Sequence, residues 1–192
     1  MVTDTRTTRS AGSASSWRIR LPTAPTPEQT GAPSFTLSRP ITGLRVGLRH
    51  EGSWRSWMLI VERWESFLRR DGAEPVVLKA GGRVGAEGER TKADVRAWAA
   101  DIDCGVAGLG TCGSCTSNSV HDAVALETAG KPSVVAVCDE FAPHGTNMAR
   151  FLGHPALKML VLPYPLEGRE DADLRQIAAE YYPHFLRLLG AA

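Results

Sequence analysis

The chain has 192 residues, 43% apolar and 22% charged, and its 22 Lys and Arg against 21 Asp and Glu leave a net charge of +1. That balance excludes a disordered or collagenous chain and any global attraction to polyanions, so neither nucleic acid nor an anionic membrane is an expected partner. No apolar run approaches the ~18 residues of a membrane span, and the opening MVTDTRTTRSAGSASSWRIR lacks the apolar centre of a secretory leader, so a cytoplasmic location is expected.

Residues 1–40 hold five prolines (Pro22, Pro25, Pro27, Pro33, Pro40) among Ser, Thr, Ala and Gly. Such a segment cannot bury enough surface to offset the entropy of ordering and reads as a flexible tail. Within it, Trp17-Arg18-Ile19-Arg20-Leu21 alternates apolar and polar residues and suits an arm packed on the domain or a partner. Residues 41–192 then read as one domain.

In that domain Leu44–Leu48 reads as a strand, with Ser53 as N-cap of a helix carrying Trp54, Trp57, Met58, Val61, Trp64 and Leu68 on one face and stopped by Gly72. A second strand, Glu74–Leu78, runs into a Gly-rich loop, Lys79–Arg90, read as a mobile lid or a plain surface connection. Thr91 is the expected cap of the next helix, through Val95, Trp98 and Ile102, and Cys104–Leu109 is a third strand of small residues. A helix over Thr116–Thr128, a strand Ser133–Val137, a helix near Thr146–Leu152, a strand Lys158–Leu162 and a helix Asp171–Leu189 complete the chain. The last helix should bury Leu174, Ile177, Ala178, Tyr181, Phe185 and Leu188 and kink at Pro183.

Strands alternating with helices predict an α/β fold, a three-layer doubly wound five-stranded parallel sheet of flavodoxin or Rossmann type. With strand order 2-1-3-4-5, ligands bind beyond the carboxyl ends of strands one and three. The loops there are 49–53 and 110–116.

The second of those loops carries Gly108-Leu109-Gly110-Thr111-Cys112-Gly113-Ser114-Cys115-Thr116. A Cys-x-x-Cys at a strand-to-helix turn puts two thiols within disulfide reach, and the helix dipole with its unpaired N–H groups favours the nucleophilic thiolate. Cys112, further from the helix, is the expected attacking thiol and Cys115 the resolving one. Ser114 or Thr116 should cap the helix, while Gly110 and Gly113 let a substrate approach the backbone. His50 and His121 are candidate bases or imidazolium partners for the nucleophile. Arg49, Ser53, Arg55, Gly110, Thr111, Gly113, Ser114, Thr116 and Tyr164 are candidate substrate contacts, the arginines as clamps for a carboxylate or phosphate. Asp139 and Glu140 share that edge as candidate acids, caps or bases, and His144 and Asn147 extend their loop without a specific signal. Cys104 and Cys138, within or at the end of apolar strands, read as buried core cysteines. A zinc site would need a second Cys-x-x-Cys or a His-x-x-x-His pair, which the sequence lacks, so no metal ligand and no cofactor is expected.

These residues resemble the UGSC family, named for a Sec/Cys-Gly-Ser-Cys motif in which some members carry selenocysteine where this chain has Cys112. The resemblance rests on Gly108–Ser117, His121-Asp122-Ala123, Arg49 with Ser53-Trp54-Arg55-Ser56-Trp57, and Val161-Leu162-Pro163-Tyr164-Pro165-Leu166-Glu167, and covers residues 42–190. It implies that position 112 is one where redox or nucleophilic reactivity matters.

The expected function is that of a thiol-dependent oxidoreductase acting on a small molecule, with an external thiol reductant as partner and a homodimer compatible with the pattern. Alternative readings are a Cys112 nucleophile in acyl transfer, hydrolysis or a racemase-type reaction, and a non-enzymatic module binding a metal or small molecule.

Overall fold

The computed structural model describes residues 34–191, and the arm read at Trp17–Leu21 lies outside them. Its elements are β1 (Arg45–His50), α1 (Arg55–Arg70), β2 (Glu74–Lys79), α2 (Gly85–Asp101), β3 (Cys104–Gly110), α3 (Gly113–Thr128), β4 (Ser133–Cys138), a short 3-10 turn (Asp139–Phe141), α4 (Ala142–Phe151), β5 (Lys158–Leu162) and α5 (Asp171–Leu189). All strand pairs are parallel and the order is β2-β1-β3-β4-β5. This is the three-layer α/β architecture the alternating pattern predicts, with the reversal of strand order between β1 and β3.

Each layer follows from the residues that face it. β3 and β4 are buried along their whole lengths, because helices cover both faces of the sheet centre. On one face α1 and α5 enclose the aromatic core, where the Trp64 indole stacks on Phe185 at 5.0 Å and donates to the Ala178 carbonyl at 2.8 Å. Such a stack adds about 1 kcal/mol to what its buried area contributes, and the hydrogen bond spares the indole N–H an unpaired burial. The opposite face carries α2, α3 and α4 over smaller side chains such as Ala107, Val120, Ala123 and Val135. No helix among the described residues is long and apolar enough to cross a membrane.

Several local expectations change. Ser53 does not cap α1; Trp54 precedes it, and Glu167 supplies the cap from a distant segment. The Gly-rich stretch is mostly helix, since α2 begins at Gly85 and leaves only residues 80–84 as connection. Gly88 sits there because a Cβ would meet the Arg83 carbonyl carbon at 2.6 Å, so close packing rather than looseness explains a glycine. Thr91 is therefore a buried residue within α2 and not its cap. Helix α4 likewise begins at Ala142. On α5 the buried positions are Tyr182 and Leu189 in place of Tyr181 and Leu188, with the Tyr182 hydroxyl donating to Asp71 at 2.9 Å, while Pro183 lies inside the helix as expected. The end of the expected tail is docked: the Leu37 N–H donates to the Leu189 carbonyl at 2.7 Å, and Lys158 Nζ holds the Phe35 carbonyl at 2.9 Å.

Candidate functional site

The carboxyl ends of β1, β3, β4 and β5 bring together the turns at 51–53, 111–112, 139–141 and 163–166. Helix α3 starts directly after β3 because Cys112 is itself the N-cap: its backbone is extended and its Sγ accepts the Cys115 N–H at 3.2 Å. Neither Ser114 nor Thr116 caps. Ser114 is exposed with its Oγ 3.5 Å from Cys112 Sγ, and the buried Thr116 hydroxyl donates to the Cys112 carbonyl at 2.6 Å. Cys112 and Cys115 form a disulfide with Cα atoms 5.3 Å apart. Cys112 is half-buried, whereas Cys115 is 8% exposed, so an incoming molecule meets the first sulfur before the second.

The glycines of this turn divide by role. A Cβ on Gly108 would meet the Trp57 ring at 2.7 Å, and one on Gly110 would meet Val137 at 2.7 Å and the Thr116 hydroxyl at 2.9 Å. Both are therefore occupied by the protein, which seats α3 tightly on the end of β3. Gly110 is thus not open to substrate approach, while Gly113 is, having nothing within 4 Å of an added Cβ. Thr111 is half-buried, and its side chain partly offsets the burial that raises the pKa of the Cys138 thiol.

Arg49 lies under the turn rather than in it. Its side chain is fully buried, with Nη1 donating to the Gly108 carbonyl at 2.8 Å, Nη2 to Glu51 at 2.8 Å, and Nε 2.6 Å from Asp122 on α3. The Arg83 guanidinium grips the same Asp122 carboxylate with both terminal nitrogens, 2.9 Å and 2.5 Å. Arg49 thus stitches β1, β3 and α3 together beneath the cysteines and has no free donor fork for a ligand. Arg55 is committed as well, to Asp171 at the start of α5. Ser53 is exposed on the wall of a cleft of about 380 Å³ that also takes in Glu51, Lys79, Arg83 and Asn118. Tyr164 is 46% exposed at the end of β5, edge-on to Phe141 at 5.9 Å. Asp139 and Glu140 are exposed, and Asp139 accepts the Glu140 N–H within its own turn.

Of the histidines, neither candidate is hydrogen-bonded to a cysteine. Strand alternation turns His50 away from the Arg49 side, toward α1, where the Glu65 charge acts weakly on it. Burial, with help from Arg49 and Lys79, lowers its pKa and keeps the ring neutral. His121 is exposed on α3, about 13 Å along the helix from Cys112 at 1.5 Å per residue. The histidine that does reach the turn is His144 on α4, whose Nε2 lies 3.1 Å from both the Gly113 carbonyl and the Ser117 hydroxyl. The contact spans 31 residues of sequence, and the only signal for it was that His144 follows β4 on the shared edge.

Cys104 and Cys138 are fully buried. Burial pushes the Cys104 thiol up to about 12, with Asp103 adding to it, and raises Cys138 as well. Among the described residues no group of three or more His, Cys, Asp or Glu side chains is arranged to hold a metal ion.

No curated protein matches the chain. The UGSC family model does, and it aligns over residues 18–191, starting well ahead of the expected residue 42 and so including part of the Pro-rich segment. With the fold, the Cys-Gly-Ser-Cys turn and an alignment over most of its length in agreement, the chain belongs to the UGSC family.

Proposed function

We propose that the protein is a thiol-dependent oxidoreductase whose working group is the Cys112–Cys115 couple. The observation that carries this reading is the pairing of a half-exposed cysteine with a buried one at the N-terminus of α3, on the ligand-binding edge of the sheet. A stabilising role accounts for the bond less well. Closing so short a loop removes only about 2 kcal/mol of chain entropy from the unfolded state, against nearly 5 for a loop of about 100 residues, and it ties no distant segments together.

In the proposed cycle the Cys112 thiolate attacks a substrate disulfide or another two-electron-oxidised sulfur or selenium centre. The bond to the leaving group breaks, the group departs as a thiolate or selenolate, and a mixed adduct remains on Cys112. Cys115 gives up its proton to solvent and its sulfur attacks Cys112 Sγ, expelling the second half of the substrate. The substrate has gained two electrons and the two cysteines have lost two. An external thiol, as a reducing cytoplasm supplies, returns the pair to its dithiol form. The helix N-terminus stabilises the attacking thiolate, and the open Gly113 lets the substrate reach it.

The test is Cys115→Ser. Without the resolving thiol, a disulfide substrate should leave a stable mixed adduct on Cys112, visible as a mass increment, and turnover should be lost. If Cys115→Ser keeps its activity, the cysteine acts as a non-redox nucleophile. If oxidised wild-type protein yields no Cys112–Cys115 peptide, the proposal fails.

A further inference from the structure

A groove of about 600 Å³ runs between α2 and α3, on the flank of the sheet rather than at the cysteine turn. Its floor is apolar, from Val95 and Val124, and its rim carries Arg83, Lys92, Arg96 and His121. Asp122 is the one carboxylate lining it, and Arg49 already lies 2.6 Å from that group. Among the described residues neither Arg96 nor His121 forms an ion pair, and Lys92 is paired only with the exposed Glu89.

Arg83 holds the geometry that matters most. It grips Asp122 as a bidentate fork, while its Nε is buried with no hydrogen-bond partner. Because Asp122 has two guanidinium partners, Arg83 can turn to a second anion without leaving that carboxylate uncompensated. Arg83 also lines the neighbouring 380 Å³ cleft at the ends of β1 and β2, so the two hollows meet at its side chain.

We infer that this groove is a binding site for a small organic dianion, a phosphate monoester or dicarboxylate, with its charged end on Arg83, Arg96, Lys92 and His121 and its apolar body on Val95 and Val124. An excess of cations over an apolar floor suits that class. The chain's own first 33 residues are a poor occupant, since they carry four arginines against Asp4 and Glu28. The inference does not depend on the chemistry of the cysteines.

Calorimetric titration of the full chain with phenyl phosphate and with phthalate tests it, with light scattering to follow the oligomeric state. The expected result is saturable binding of at least one probe at one site per chain. Binding should weaken about tenfold or more in the exposed double variant Arg96→Gln/His121→Gln, whose melting temperature should stay unchanged, and should persist in Cys112→Ser. The two probes distinguish phosphate from carboxylate recognition. The inference is overturned if neither saturates below about 10 mM, if the double variant binds as wild type does, or if the groove is closed by a second copy of the chain.

Discussion

Glu167 and Ser56, 111 residues apart, meet at the start of α1: one Glu167 oxygen accepts the Ser56 N–H at 2.9 Å and the Ser56 hydroxyl at 2.6 Å. A carboxylate from the segment after β5 therefore does for α1 what a local cap residue does elsewhere, satisfying a free N–H and opposing the positive end of the helix dipole. It also fixes the Pro163–Glu167 turn, with exposed Tyr164, against the β1 side of the edge. Glu167→Gln should cost about 1–2 kcal/mol in urea unfolding at neutral pH. Ser56→Ala, which keeps the backbone N–H bond, should cost less. Equal stability of both variants and wild type would remove the remote cap from the account.

Asp122 should be far less replaceable than Arg83. The Arg49 guanidinium beside it is fully buried, and Asp122→Asn leaves that charge with Glu51 alone, a loss of about 3 kcal/mol. Arg83→Gln leaves the Arg49–Asp122 pair intact and removes a partly exposed partner, so it should change stability by about 1 kcal/mol or less. Denaturant titrations giving the two variants the same midpoint would contradict this ranking.

What the sequence reveals depends on how local the cause is. The bounds of the Lys158–Leu162 strand and the Asp171–Leu189 helix are legible to the residue, because Gly, Pro and charge flank them, although the helix buries Tyr182 and Leu189 where its pattern pointed to Tyr181 and Leu188. The start of α2 is not legible, since Gly85 and Gly88 signal a loop while the contact that makes Gly88 necessary, with the Arg83 carbonyl, exists only in the folded chain. At the site the same division holds. Spacing alone announces the Cys112 and Cys115 pair. Arg49 looks like a ligand clamp because a strand-end arginine gives no sign of whether Asp122, 73 residues away, will engage it. His144 is as obscure for the same reason, since its contact lies 31 residues away and only its place after β4 hints at it.

His50 predicts a particular pH dependence. Its folded pKa lies below the unfolded value of about 6.5, because burial and the neighbouring Arg49 and Lys79 disfavour the charged ring. The unfolded chain then binds the proton more readily. The contribution of the neutral ring is fully present above about pH 6.5 and is lost as pH falls from there toward the folded pKa, below which the loss levels off. Between about pH 7 and pH 5 the unfolding midpoint of His50→Asn should fall less steeply than that of wild type. Parallel slopes would mean that the ring protonates as freely in the native state.

The four cysteines should separate cleanly by reactivity. In the reduced, folded protein the half-exposed Cys112 should be carboxyamidomethylated first and the 8%-exposed Cys115 later. Cys104, pushed up to about 12 by burial, has about one thiolate in ten thousand at a pH of about 8, and no solvent reaches it. Cys138 is equally enclosed and shifted the same way, so both should react only when urea unfolds the chain. Peptide mapping over time reads this directly. Labelling of Cys104 or Cys138 at the native-state rate of Cys112 would show that the sheet opens far more often than its burial implies, and a Cys115 that outpaced Cys112 would reverse the attacking and resolving roles.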